Sequence, residues 1–403
     1  INVLHIRNIM LTLIGTLYFA YVLMKLYIAT MEIGFVRKAM NDTPVVLGPS
    51  AYLKAGRYKI TNERFGMVRT LFEYGLFLVW IGGGLAWLEG VLGTGAGIVQ
   101  STIFVLVFIG INYILTLPFD LYATFVKDKD FSTIDAKTYL LDQFKSALIL
   151  VIAGGGVVMM VVWIMNNLPT WWIWGFVAIF VIVLFINMLY PTYIAPIFNK
   201  FSPLQDDSLK VRIEELLDRA GLKSEGVFTV DASKRDKRLN AYFGGLGKSK
   251  RVVLYDTLVE KLSANELLAV LAHELGHFKH KDVLKNIAAS GMLLALMFGI
   301  FGNLPLSLFE AVGLSTSPHG TIALFLLLSP LVTFVWMPLF GLMSRANEYS
   351  ADEYGSQSQS KKDLRDALMK LADANSSFPL SHPLSIIFYH THPPLIERLK
   401  RLE

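Results

Sequence analysis

The residues most able to do chemistry stand together at His273-Glu274-Leu275-Gly276-His277. Residues four apart share one face of an α-helix, so both imidazoles can reach one metal ion while Glu274, one step round, can address a water there. The chain has 8 His and no Cys. Thiol nucleophiles, disulfides and thiolate sites are therefore excluded, and a nitrogen and oxygen donor set suited to zinc is left. A catalytic zinc takes three protein ligands and keeps a fourth position open. The third candidate is Glu348, within Ser344-Arg-Ala-Asn-Glu-Tyr-Ser-Ala-Asp352. Asp352 is again four residues on, placed to accept a hydrogen bond from a ligand His and so fix its ring. Near the end of the chain, His390-Thr-His392-Pro393-Pro394 is either a surface turn opening a last helix or the source of an electrophile, His392, that steadies an oxyanion. His280, Asp282, His319, His382 and His5 read as ordinary surface or interface residues.

These groups need elements to hold them. Ser263-Ala-Asn-Glu266 has the form of a capping box, and the apolar run Leu267 to Leu271 follows, so a helix is predicted beneath the His-Glu-x-x-His motif. Asp207 to Gly221 carries Leu209, Ile213, Leu216 and Leu217 at helical spacing, with Gly221 as its C-terminal cap. Gly226–Val230, Asn240–Gly244 and Arg251–Tyr255 read as three strands of a small sheet, the last two joined by a Gly and Lys turn.

Outside these stretches the 403 residues are those of a membrane protein. Apolar residues make up 54% and charged residues 17%, against about 25% charged in soluble domains, and the mean hydropathy is +0.49. Aromatic content of 12% excludes disorder. Seven stretches are long enough to cross a bilayer, starting near Ile9, Phe72, Ile98, Ser146, Trp171, Asn286 and Thr321. The first is too long for a secretory signal and lacks its cleavage site, so it reads as a retained span. Gly82 to Gly84 and Gly154 to Gly156 read as sites of close helix packing.

Of the 37 Lys and Arg, seven fall between Arg37 and Arg69, four between Lys127 and Lys145, sixteen between Lys200 and Lys285, and eight from Arg345 onward. The intervening connections have none, which places the Lys- and Arg-rich segments and the C-terminus in the cytosol. The expected division is 1–190 for spans one to five, 191–285 for the first part of a catalytic domain, 286–343 for spans six and seven, and 344–403 for its second part.

Leu271-Ala-His-Glu-Leu-Gly-His277, Ser344-Arg345 with Glu348-Tyr349 and Ala351-Asp352, Ser233-Lys-Arg235 with Asn240-Ala-Tyr-Phe243, Pro196-Ile-Phe-Asn-Lys-Phe201, and His392-Pro-Pro with Glu397-Arg398 together resemble the integral-membrane CAAX prenyl protease type I family. The resemblance implies a mainly α membrane protein: seven transmembrane helices around a chamber, with a split α+β zincin-like catalytic domain on the cytosolic side. It also implies one Zn²⁺ per chain held by His273, His277 and Glu348, with Glu274 as base and Asp352 supporting a ligand. Asn240 and His392 would support the tetrahedral intermediate, Asn240-Ala241-Tyr242 would be an edge strand pairing with substrate backbone, and Arg398 would be structural or near the site. Implied partners are peptide or protein substrates, prenylated or similar, and membrane lipids; nothing calls for nucleic acid. Val126-Lys-Asp-Lys-Asp-Phe131 departs from the acidic pair and Gly-Phe-Asn motif of the family, and the chain stops short of the eukaryotic C-terminal extension. Both features point to a compact bacterial homologue, in a bacterial inner membrane rather than endoplasmic reticulum.

Two rival functions follow from the same residues. One is a membrane quality-control zinc protease acting on misfolded or stalled proteins. The other is a transporter or channel, which would need ionisable groups inside the spans; the mid-span polar residues are mainly Asn112 and Asn187.

Overall fold

The structure is a computed structural model that describes residues 3–222, 224–244 and 251–403. Five long helices come first: α1 (Val3–Ala39), α2 (Pro49–Leu92), α3 (Ile98–Lys127), α4 (Ala136–Asn167) and α5 (Trp171–Phe198). A polar segment follows, built of β1 (Phe201–Pro203), α6 (Asp207–Arg219), β2 (Val227–Val230), β3 (Ala241–Gly244), β4 (Arg251–Tyr255) and α7 (Ala264–Lys279). The chain returns through α8 (Asp282–Phe301) and α9 (Pro318–Ser358), then ends in α10 (Lys361–Ala374), α11 (Pro383–Tyr389) and α12 (Leu395–Arg401). Helices α1 to α5, α8 and α9 are long and apolar enough to cross a membrane.

Two of them begin earlier than hydropathy places them. Helix α2 starts at Pro49 rather than near Phe72, and α4 at Ala136 rather than near Ser146. Backbone bonding continues through charged turns when the charges find partners: Arg69 lies 2.9 Å from Glu73 and 3.0 Å from Asp120 on α3, and Lys59 lies 3.1 Å from Glu63. Asp135 caps α4 by accepting from the Thr138 amide at 2.8 Å. Lys25, Glu32, Arg69, Glu73 and Glu89 all stand in these helices, so Asn112 and Asn187 are not the main polar groups within the spans.

The glycine triplets mark close approach at only some of their positions. An added Cβ at Gly82, Gly83 or Gly156 would meet nothing within 4 Å, whereas one at Gly84 would stand 2.9 Å from the Val79 carbonyl, one at Gly154 3.1 Å from Leu150 Cδ1 and one at Gly155 3.5 Å from Leu106 Cδ1 of α3. Both triplets sit in or beside π-helical turns, Trp80–Gly84 and Leu150–Gly154, and Gly83 takes φ +139°, a backbone state closed to other residues. Nor is His319 a surface or interface residue. It is completely buried, with Nδ1 3.1 Å from the Ser101 hydroxyl and Nε2 2.9 Å from Glu89. This tie fastens α2, α3 and α9 at the end remote from the sheet.

The polar segment packs around Ile213, Leu216 and Leu217 of α6, Val252 and Leu254 of β4, and Leu267, Leu271 and Leu275 of α7, with Ala367 of α10 closing the same core. Asp206 caps α6 through the Leu209 amide at 2.9 Å, and Gly221 past its end takes φ +71°. The sheet order is β1-β2-β4-β3, with β2 parallel to β4 and the other pairs antiparallel. Strand β3 is thus an edge. Strand β1 was not predicted, being three residues ending in Pro203, and the expected Gly and Lys turn lies in 245–250, outside the described residues.

Candidate metal centre

Helix α7 is fixed before it reaches the motif. The Ser263 amide donates to Glu266 at 2.7 Å, completing the predicted capping box, and all of Leu267 to His273 is buried. The helix crosses α9 at two glycines. A Cβ on Gly276 would stand 2.8 Å from Ala351 Cα, and one on Gly355 would stand 3.0 Å from the His273 nitrogen. Small residues at both points let the two backbones approach, which brings Glu348 and Asp352 opposite the two histidines.

Around Glu348 the distances are short. Its carboxylate lies 3.5 Å from His273 Nε2, 3.3 Å from His277 Nε2, 3.2 Å from His392 Nε2 and 3.5 Å from Arg398 Nη1. One donor atom from each of His273, His277 and Glu348 fits within a 4.8 Å span. Glu348 Oε2 is buried and has no hydrogen-bond partner among the described residues. That oxygen faces His273 Nε2 and Arg398 Nη1, while Oε1 faces His277 Nε2 and His392 Nε2. Two imidazole nitrogens and one carboxylate within this span make the donor set of a catalytic zinc. Burial alone would raise the Glu348 pKa, but the His273 and His277 contacts outweigh it and hold the carboxylate well below the usual range.

Each far ring nitrogen faces a carboxylate. His273 Nδ1 lies 2.8 Å from Asp352 Oδ1, an ion-pair contact without hydrogen-bond geometry. Arg398 grips Asp352 with two hydrogen bonds of 2.8 and 2.6 Å, which places Arg398 beside the site. His277 Nδ1 lies 3.0 Å from Asp282 Oδ2, so Asp282 is no ordinary surface acid. It is buried and is itself held by Lys285 at 2.7 Å, whose ammonium also donates to Asn347 at 3.2 Å. Lys281, with φ +58°, turns the chain between α7 and α8 so that Asp282 folds back on the motif. The sequence carries a signal for it: two ligand imidazoles call for two acceptors, and Asp352 supplies only one.

Glu274 makes no hydrogen bond or ion pair among the described residues, and burial raises its pKa against the opposing pull of His273 and His277. That is the condition of a carboxylate suited to proton transfer. His392 reaches the centre because two anchors hold its loop. Arg345 Nη1 donates to the Ile386 carbonyl at 2.8 Å and the His390 carbonyl at 2.6 Å. Glu32 of α1 accepts from the Ser381 hydroxyl at 2.6 Å and the His382 amide at 2.7 Å. His382 also caps α11 through the Leu384 amide at 3.2 Å, so it too has a defined role. Asn240 does not touch the cluster. It is exposed at the head of β3, where its side chain accepts from the Ala241 amide at 2.9 Å, and Ala241 and Tyr242 continue along the edge strand, which packs beside α7.

Two family models match this chain: peptidase family M48 over residues 203–403, and the CAAX prenyl protease N-terminal region of five membrane helices over 39–200. A CAAX prenyl protease 1 homolog of Arabidopsis thaliana is 35% identical over 302 residues, covering 72% of this chain and 70% of that protein. The chain belongs to the CAAX prenyl protease 1 family. CAAX prenyl protease 1 of Saccharomyces cerevisiae is 32% identical over 336 residues, covering 76% of this chain and 72% of that one. The crystal structure of S. mikatae Ste24p superposes with a TM-score of 0.88 at 27% identity, covering 97% of this chain and 98% of that chain. Membership makes the protein an integral-membrane metalloendopeptidase with the fold of Ste24p.

Proposed function

We propose that this CAAX prenyl protease 1 homologue removes the C-terminal tripeptide from prenylated or similar substrates, using one zinc ion held by His273, His277 and Glu348. The observation that carries the reading is the convergence of His273 Nε2, His277 Nε2 and the Glu348 carboxylate within one 4.8 Å span. Zinc bound there would acidify water and polarise the scissile carbonyl.

Each protein group then has one task. Glu274 takes the proton of the attacking water and passes it to the leaving amine. Asp352 and Asp282 fix the tautomer and direction of the two ligand rings. His392, and Asn240 at the head of β3, donate to the oxyanion as it develops; loss of such a donor costs about 100- to 1,000-fold in turnover. The backbone of Ala241 and Tyr242 pairs with the substrate as an added strand. At the far end of β3, Phe243 and Gly244 border an apolar cavity of about 540 Å³ that runs between α5 and α8 along Val183, Leu184, Ile287 and Met297. This cavity supports a lipid-bearing substrate over an ordinary unfolded one. Residues 191–285 and 344–403 act as one catalytic unit, and the Lys and Arg distribution supports a cytosolic position for it.

The test is cleavage of a farnesylated C-a-a-X peptide by the purified protein, beside the same peptide without lipid and a Glu274→Gln control. Lipid-dependent cutting that the variant lacks is expected. Equal cutting of both peptides would replace this reading with general membrane proteolysis.

A further inference from the structure

Edge strand β3 can offer a peptide only the backbone groups that face away from β4, and these alternate along the strand. The Tyr255 amide donates to the Asn240 carbonyl at 3.1 Å, and Ala241 stands opposite Leu254 in antiparallel register. Asn240, Tyr242 and Gly244 therefore turn their amides and carbonyls toward β4. Leu239, Ala241 and Phe243 turn theirs to the other side.

That side is closed at one end. The Leu239 amide donates to Asn375 Oδ1 at 2.9 Å, and Asn375 Nδ2 donates to the Leu239 carbonyl at 3.3 Å. These are the two bonds that a further strand would make to an outward-facing residue, made instead by one carboxamide 136 residues away in sequence. Asn375 is firmly placed. Its own amide donates to the Leu371 carbonyl at 3.0 Å where α10 ends, Ser376 takes φ +47°, and the Ser377 amide returns to the Ala372 carbonyl at 2.8 Å. Further along β3, no group among the described residues pairs with the outward carbonyl of Ala241 or with the outward amide and carbonyl of Phe243.

We propose that Asn375 determines specificity by ending the substrate-pairing edge: it stands where a continuing strand would lie, so a bound peptide engages Ala241 and Phe243 and cannot run past Asn240. The inference rests on the reading above, in which substrate pairs along β3 with its lipid-bearing part at the Phe243–Gly244 end. The residues that follow the lipid then run toward Asn375, and the carboxamide limits how many can lie beyond the cut. Leu239 and Ala241 share one core with Leu271 and Leu275 of α7, the helix that carries His273 and Glu274, so the stop and the metal centre have a common support. Strand pairing repeats every two residues, about 7 Å, so uncovering Leu239 makes room for two more substrate residues.

The test uses the full-length protein and two farnesylated peptides, one ending in C-a-a-X and one lengthened beyond X by two residues, with the products identified by mass. The wild type is expected to prefer the shorter peptide by about 10-fold or more in kcat/KM, with the difference carried in KM. Asn375→Ala should bring that ratio to within about 2-fold of unity. Asn375→Asp, which still covers the Leu239 amide with a side chain of the same size, should keep the preference. Asn375→Ser carries the same expectation as the Ala variant and replaces it if that protein does not fold. A merely structural fault would slow both peptides together and leave the ratio intact. A wild-type ratio near 1, or a ratio that survives the Ala or Ser substitution, overturns the proposal while leaving the protease reading standing. Failure of the wild type to cut either peptide overturns the protease reading itself, and this proposal with it.

Discussion

Replacing Gly341 by Ala sets two effects of opposite sign against each other. In an unconstrained helix the change stabilises by about 1 kcal/mol. Here the new Cβ would stand 2.7 Å from Arg345 Nη1, 3.2 Å from the His390 carbonyl and 3.5 Å from the Ile387 carbonyl. The guanidinium must move, and its two bonds to the Ile386 and His390 carbonyls, 2.8 and 2.6 Å long, must stretch. Hydrogen bonds to charged groups contribute about 1.5–3 kcal/mol each, so losing one outweighs the helical gain. The consequence reaches the chemistry through His392, two residues beyond His390. A displacement on the order of 1 Å in a catalytic group costs about 100-fold. Gly341→Ala should therefore keep one zinc per chain while kcat falls by about that factor. Kinetics on a farnesylated peptide, with zinc measured on the same sample, decide it. A variant as active as the parent and at least as stable would refute the clamp.

Further outcomes follow from the same contacts. Glu348→Ala should lose the metal before anything else, and full zinc occupancy in that variant would remove Glu348 from the ligand set. Asp282→Ala frees His277 Nδ1 and should weaken zinc binding about 10- to 100-fold in a competitive chelator titration; unchanged affinity would return Asp282 to a bystander. Burial would raise the Glu266 pKa, yet Lys370 and Ser263 prevail and leave it lowered. A carboxyl depressed in the folded state stabilises above its unfolded pKa and loses that contribution as pH falls through the folded value. The melting difference between wild type and Glu266→Gln should hence be present at neutral pH and shrink below about pH 4; a constant difference would contradict the assignment.

The chemistry was easier to read in the sequence than its supports. His273, His277, Glu348 and Asp352 each obey a four-residue spacing, and a helix turns that spacing directly into a shared face. Asp282 escaped because its approach depends on the left-handed Lys281, which no periodicity encodes. Arg345 and Glu32 escaped because their partners are distant in sequence, Arg345 meeting backbone carbonyls some forty residues on and Glu32 reaching Ser381 and His382. The seven spans were legible from hydropathy, but the start of α2 was not. Its first turns are charged, and only contacts with α1 and α3 show that Lys59 and Arg69 belong inside the helix.

The central claim is that one ion at His273, His277 and Glu348 drives the hydrolysis. It is tested most directly by stripping the purified protein with a chelator, restoring zinc in steps, and measuring bound zinc and farnesyl-peptide turnover on the same samples. The account predicts that turnover rises in proportion to bound zinc and saturates at one ion per chain. Turnover that persists in the stripped protein, or that reaches its plateau without regard to bound zinc, would contradict it.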